Sequence, residues 1–357
     1  MRIVFVMHTT TRTGGHRTVF EYCNGLAKLG HEVSIVSLGF RRDDSWFPLV
    51  APVTYSGLGR LLALYDSSAL RIARLPRWDE IQKLSELIPE CDVAVATYCV
   101  TATAVWRSLR CRKRAYLVQH FEPLFFADTY MKRWALETYF LPIQKAANSI
   151  WLRERIREVT GANVPIINPG LDLSTFFPRK RLEPAGRKRI VAYARSAPWK
   201  GFADLVEALR ILERDRDDLE LATYGAHRLP AALKRTHVTH VSSPSDEKLA
   251  QLYSSADVVV CPSWYESFPL PPLEAMACGA PVVTTNIGTE DYAAHLENSL
   301  VVPARKPALL AEMISQSLQD ESLSQRLRDG GLETAKRFSW VNAVRAMEEF
   351  LGTVAAD

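Results

Sequence analysis

No run in these 357 residues approaches the ~18 consecutive apolar residues a membrane-spanning helix needs, so no helical span is expected. The opening stretch, MRIVFVMHTT, holds a five-residue apolar run, too short for a signal-peptide core, and reads as a first buried strand. Cysteine is sparse and scattered: Cys23, Cys91, Cys99, Cys111, Cys261 and Cys278 form no C-x-x-C pair. That pattern predicts reduced, mostly structural thiols, no zinc site and a cytoplasmic setting. There is no G-x-G-x-x-G fingerprint to favour a dinucleotide oxidoreductase. No low-complexity tract or short repeat interrupts the chain. No basic–aromatic motif points to nucleic acid.

What is present is an ordinary globular composition, 47% hydrophobic, with a net charge of +4 that hides an asymmetry. Residues 1–168 carry 22 Lys and Arg against 15 Asp and Glu, or +7; the remainder carries 22 against 25, or −3. The excess is local. One stretch sets Arg60, Arg71, Arg74 and Arg77 among leucines, and a second holds Arg107, Arg110, Arg112, Lys113 and Arg114. A basic half of this kind suits an anionic substrate or peripheral contact with an anionic membrane.

The chain reads as strand, helix, strand, repeated. Short apolar runs at 2–7, 32–38, 92–97, 114–119 and 165–168 look like buried parallel strands. A second series runs through 189–194, 219–225, 257–263, 280–285 and 299–303. Between the two lies NPGLDLSTFFPRKRLEPAGRK (168–188), rich in Pro, Gly and charge, which reads as a linker. The expectation is two tandem α/β Rossmann-like domains, 1–168 and 169–338, facing a cleft, with a C-terminal helix at 339–357 crossing back to the first. Ligands of such domains sit at the carboxyl ends of strands.

Candidate site residues follow from that frame. In SWYESFPLPPLEAMACGAPVV (263–283), Glu266 falls on a loop after a strand and Glu274 in the first turn of a short helix. The prolines between them hold the loop in one shape, and a fixed carboxylate can accept from two vicinal sugar hydroxyls. Arg195 and Lys200 follow the strand RIVAYA, and two cations there suit a diphosphate whose charge grows as a sugar bond breaks. Gly14 and Gly15 lie between the first strand and a helix, where backbone N–H groups could meet phosphate or sugar, with His16 and Arg17 beside them. His120 ends the strand RAYLVQ, and Glu290 lies in NIGTEDY after the strand PVVTT as a possible donor contact.

The segment PSWYESFPLPPLEAMACGAPVV, with TTRTGGHR, NPGLDLSTFFP and YARSAPWKG as flanks, resembles the E-x(7)-E signature of family 4 retaining glycosyltransferases of GT-B architecture. The resemblance spans nearly the whole chain. It implies retaining, metal-independent transfer of a hexosyl or deoxyhexosyl group from a nucleotide diphosphate sugar to a hydroxyl acceptor, in polysaccharide, glycolipid or other glycan synthesis. The acceptor would be a glycan or a lipid-linked one, and no cofactor is implied beyond the donor. By the same resemblance Arg195, Lys200, Glu266 and His120 form the catalytic set, with Glu266 on donor sugar hydroxyls and His120 contacting the donor sugar. Gly14, Gly15, Ser267, Phe268, Leu270 and Glu274 form the donor-binding set, with Glu274 on the nucleotide ribose. Family members usually carry glycine where this chain has Ser267 and Pro269, and Pro269 has no N–H to offer. DRDD (215–218) holds a D-x-D pattern, the metal site of a different glycosyltransferase architecture, but its place between a helix and a strand reads as a solvated turn. Two alternatives stay open on the residues: a nucleotide-sugar epimerase or phosphorylase of the same architecture, and a non-catalytic nucleotide-sugar sensor.

Overall fold

The computed structural model describes residues 1–38, 44–56, 78–181, 186–226, 228 and 232–357. The chain divides into two compact units: Met1–Gly170 with Trp340–Asp357, and Leu171–Ser339.

The first unit is built on a parallel sheet of six strands: β1 (Arg2–Met7), β2 (Glu32–Ser37), β3 (Val53–Tyr55), β4 (Cys91–Ala96), β5 (Cys111–Val118) and β6 (Gln144–Ala147). Their order is β3-β2-β1-β4-β5-β6. In register, Phe5 faces Ile35 on one side and Val95 on the other. Because successive side chains point to opposite faces, β1 feeds two cores. Val4 and Val6 pack under α2 (Trp78–Leu87), α3 (Cys99–Arg107), α4 (Thr129–Thr138) and α5 (Ile150–Thr160). Ile3, Phe5 and Met7 pack under α1 (Gly14–Lys28) and α11 (Trp340–Ala356), where Trp340 meets Tyr22 edge-on at 5.7 Å.

The second unit repeats the plan with β7 (Lys188–Tyr193), β8 (Leu219–Gly225), β9 (His237–Ser242), β10 (Val258–Cys261), β11 (Val282–Thr285) and β12 (Leu300–Val302), in the order β12-β11-β10-β7-β8-β9. Ile190 and Ala192 face α6 (Phe202–Leu212), α9 (Pro307–Gln319) and α10 (Glu321–Arg337). Val191 faces α7 (Asp246–Ser254) and α8 (Leu270–Ala277). The expected α/β architecture with parallel sheets is therefore present in both units. Each sheet reverses its direction of growth once, between β1 and β4 and between β7 and β10, and ligands of open α/β sheets bind outside the strand ends at such reversals.

Three strands were not expected from the sequence: β3, β6 and β9. All lie at sheet edges, and none is an apolar run buried throughout; His237–Ser242 is half-buried or exposed throughout. Among the described residues the run 165–168, expected as a strand, makes a single isolated bridge, from Ile166 to Ala147, and joins no ladder. The strand expected at 114–119 begins earlier, at Cys111, so Arg112, Lys113 and Arg114 belong to β5 itself.

Candidate functional site

The loops that follow β7 and β10 meet at the reversal of the second sheet. After β7 come Arg195, with an exposed side chain, and a 3₁₀ turn at Pro198–Lys200. Gly201 caps that turn at φ +66°, and a Cβ there would overlap the carbonyl oxygen of Pro262. Only glycine fits both the left-handed backbone and the close approach. Trp264 N–H then donates to the Trp199 carbonyl at 2.6 Å, tying the two loops together. The contact sets Lys200 Nζ against Glu266 Oε1 as an ion pair, and Ser263 Oγ donates to the same oxygen at 2.9 Å. The two side chains are 18% and 15% exposed, dry enough to strengthen the attraction and open enough for either to exchange its partner for a ligand. A primary ammonium beside a carboxylate at a strand-end crevice can bind an anion with one and hydroxyls with the other.

The rest of the motif is arranged differently from expectation. Helix α8 begins at Leu270, so Glu274 is its fifth residue and no acidic residue lies in the first turn. The residue is 9% exposed, its carboxylate accepts from Tyr253 OH at 3.4 Å, and the Tyr253 and Tyr224 hydroxyls lie 2.6 Å apart. Burial pushes both phenols far up, so they remain neutral donors. Glu266 and Glu274 flank the same thiol: burial first, then these two carboxylates, push Cys261 well above the usual thiol range. Phe268 is a core residue, packed against Tyr292 at 5.4 Å and Phe338 at 5.7 Å, so only its backbone could serve a donor. Leu270 opens α8 and packs partly into the same core. Ser267 is 4% exposed, and its Oγ is a buried atom without a hydrogen-bond partner among the described residues. Glu290, expected as a donor contact, places Oε2 2.6 Å from the N–H of Gly288 in its own loop.

The remaining candidates lie in the first unit. Gly14 and Gly15 are not a loop but the first two residues of α1. Thr13 caps that helix, accepting the His16 N–H at 3.2 Å, and His16 Nδ1 lies 2.6 Å from the Thr11 carbonyl. By helix geometry the N–H groups of Gly14 and Gly15 have no intrahelical acceptor. Arg17 lies 3.8 Å from Glu21 on the same helix. Gly15 faces Gln119, the residue before His120. The His120 ring is half-buried and lies 4.3 Å from Phe125. DRDD sits between α6 and β8, with Asp218 accepting from both Arg216 Nε (2.9 Å) and Nη2 (2.6 Å). Among the described residues no three His, Cys, Asp or Glu side chains are grouped to hold a metal ion.

A further enclosed acid lies beside His120. Glu122, two residues after His120, is fully enclosed and accepts from Tyr116 OH at 2.8 Å and Cys99 N–H at 2.7 Å. Its own N–H donates to Tyr139 OH at 3.1 Å, and that hydroxyl donates on to the His120 carbonyl at 3.3 Å. Burial outweighs these hydrogen bonds and pushes its carboxyl up to about 8. The only signal in QHFEPLF was an acid after a strand, and a sequence does not say whether such an acid is enclosed.

Residues 174–334 match the family model described as Glycosyl transferases group 1. The chain is 32% identical over 274 residues to the O-antigen biosynthesis protein RfbC of Myxococcus xanthus, a match covering 75% of this chain and 21% of that protein. It is 31% identical over 204 residues to a D-inositol 3-phosphate glycosyltransferase of Corynebacterium efficiens, covering 52% and 48%. The chain thus spans about half or less of the length of these curated relatives. Sucrose-phosphate synthase from Thermosynechococcus elongatus shares the fold, with a TM-score of 0.80 at 20% identity over 100% of this chain and 99% of that one.

Proposed function

We propose that the chain is a family 4 glycosyltransferase that moves a hexosyl or deoxyhexosyl group from a nucleotide diphosphate sugar to a hydroxyl of a glycan or lipid-linked acceptor, with retention and without a metal. The observation that carries this reading is the Lys200–Glu266 ion pair at the carboxyl ends of β7 and β10. In the bound state Lys200 turns to the diphosphate with Arg195, and Glu266 is released to the donor's sugar hydroxyls. As the glycosidic bond breaks, negative charge grows on the leaving phosphate, so the two cations stabilise the transition state more than the ground state. Glu274, one oxygen fixed by Tyr253, takes the ribose. Lys200, Glu266 and Glu274 all belong to the second unit, so the donor is placed there and the acceptor is assigned to the first. A nucleotide-sugar glycosyltransferase of this kind serves glycan synthesis at the cytoplasmic side of a membrane.

A thermal-shift screen across nucleotide diphosphate sugars tests the reading. A matched donor at ~100 times its Kd should stabilise the chain by about 2.7 kcal/mol. Failure of every donor to shift the transition would contradict it.

The roles of the two glutamates should separate. Glu274→Gln keeps the shape and removes the charge, so it should weaken binding of free nucleoside diphosphate. Glu266→Gln should spare that binding and damage sugar transfer. Calorimetry with the nucleoside diphosphate alone decides: equal losses in both variants would refute this division.

Membrane contact belongs to the same proposal. Arg60, Arg71, Arg74 and Arg77 lie outside the described residues. In the second basic cluster Arg114 is spent within the chain, donating to the carbonyls of Val105 and Ser108. Arg107, Arg110 and Arg112 are exposed around Leu109, itself 95% exposed, and Trp106. Each basic residue near an anionic surface contributes on the order of 1 kcal/mol, screened within about 8–10 Å. The chain should co-sediment with anionic vesicles at low salt, less at high salt, and less again when Arg107, Arg110 and Arg112 become Gln. Staying in the supernatant at low salt would remove membrane contact from the proposal. Among the described residues no helix is long and apolar enough to cross a membrane.

A further inference from the structure

Three contacts tie the segment after β11 to the segment that carries Glu266. Thr285 Oγ1 donates to the Ser263 carbonyl at 2.5 Å, and Tyr292 OH donates to the Pro269 carbonyl at 2.7 Å. Midway between these ends, Gly288 adopts φ +86° and lies so close to Glu266 that a Cβ would overlap that residue's carbonyl group. Glycine at positive φ has wide conformational freedom, so this approach must be fixed by something else. Two side chains of the turn fix it. Thr289 Oγ1 donates to the Thr285 carbonyl at 2.6 Å, and Glu290, whose body lies at the surface, turns Oε2 inward to accept the Gly288 N–H at 2.6 Å. A carboxylate on a backbone N–H is among the stronger hydrogen bonds a loop can make.

We infer that Glu290 is a positioning residue for the nucleotide-sugar site: it holds Gly288 against the Glu266 peptide, and so fixes the carboxylate that faces Lys200. The inference rests on the proposed donor role of Glu266. It assigns Glu290 no contact with the ligand. The Lys200 and Ser263 contacts fix the Glu266 side chain from its tip, and the Gly288 approach fixes the same residue from its backbone. A group held at one end only can wander by an ångström, and displacement of that size is enough to cost catalysis heavily.

Two variants separate this role from its rivals. Glu290→Gln loses the charge but keeps an amide oxygen that can accept the Gly288 N–H; Glu290→Ala keeps neither. Amide hydrogen exchange on the ligand-free full chain is the first readout. Glu290→Ala should speed exchange of the 264–268 amides about tenfold or more while leaving β7 and β8 unchanged, because the opening is local. Glu290→Gln should match the wild type. The second readout uses the nucleotide diphosphate sugar that stabilises the chain most in the thermal-shift screen. Glu290→Ala should lower kcat at least about tenfold with nucleoside diphosphate affinity within about twofold of wild type, and Glu290→Gln should restore kcat. Unchanged exchange at 264–268 in Glu290→Ala overturns the inference. So does a Gln variant as impaired as the Ala variant, since charge at a ligand would then be the role. Exchange reports on the brace whether or not the wild type turns over a donor, so a wild type without turnover would count against the glycosyltransferase reading alone.

Discussion

Replacing Arg195 or Lys200 with alanine should lower kcat by roughly 10²–10³, the loss seen when one preorganised donor to a developing oxyanion is removed. The two variants should differ in stability. Arg195 is exposed beyond the end of β7, so its loss should leave the fold unchanged. Lys200 is paired with Glu266 where both are mostly shielded, so Lys200→Ala leaves a carboxylate short of its partner. That should cost on the order of 1–3 kcal/mol in addition to the catalytic loss. Steady-state rates with saturating donor and acceptor, beside a urea transition for each variant, check both parts. Wild-type turnover in either variant would sink its assignment, and a Lys200→Ala chain as stable as Arg195→Ala would show that the ion pair carries no stability.

The second large effect is on pH. The Glu122 carboxyl is pushed from 4.5 up to about 8 in the folded chain, chiefly by burial. Between those values the folded state holds a proton that the unfolded state has released. More protons bound in the folded state means that stability falls as pH rises. The contribution is fully present below the unfolded value and is lost as pH climbs through about 8; integrated over that window it is on the order of 5 kcal/mol. Glu122→Gln stays neutral throughout and should flatten this part of the slope. Urea unfolding of both chains at pH 5 and pH 8.5 measures it, read as the difference between variant and wild type so that other titrations cancel. Equal slopes would mean that Glu122 is ionised in the folded chain across the whole range.

The sheets were legible because strands buried on both faces appear as near-continuous apolar runs, and RIVFVM and LELATYG are of that kind. Three of the four edge strands were not: QKAA in β6, for one, has no apolar run to detect, whereas the edge strand β12 carries the run LVV. Lys200 and Glu266 were legible one at a time, each as a charged residue just after a strand; that the two strands lie side by side where the sheet reverses, which pairs residues 66 apart, is set by the fold. What the sequence could not convey was depth and direction. Phe268 reads like its neighbours yet points into the core, and Glu274 lies one turn deeper in α8 than its spacing from the prolines suggested. Glu122 looks like any surface acid until Tyr116, Tyr139 and Cys99 close around it. The two glycines that hold the site together, Gly201 and Gly288, are ordinary as letters; their necessity lies in the carbonyls of Pro262 and Glu266 pressed against them.

The central claim is that the Lys200–Glu266 crevice transfers a sugar. The most direct measurement is release of free nucleoside diphosphate from the best-stabilising donor, with and without a panel of hydroxyl-bearing glycosides, and with the anomeric configuration of any product read by NMR. Transfer predicts release that rises on adding an acceptor, a product with the donor's anomeric configuration, and loss of both in Lys200→Ala. Donor that binds and is never consumed, or consumption indifferent to every acceptor and to Lys200, would contradict it.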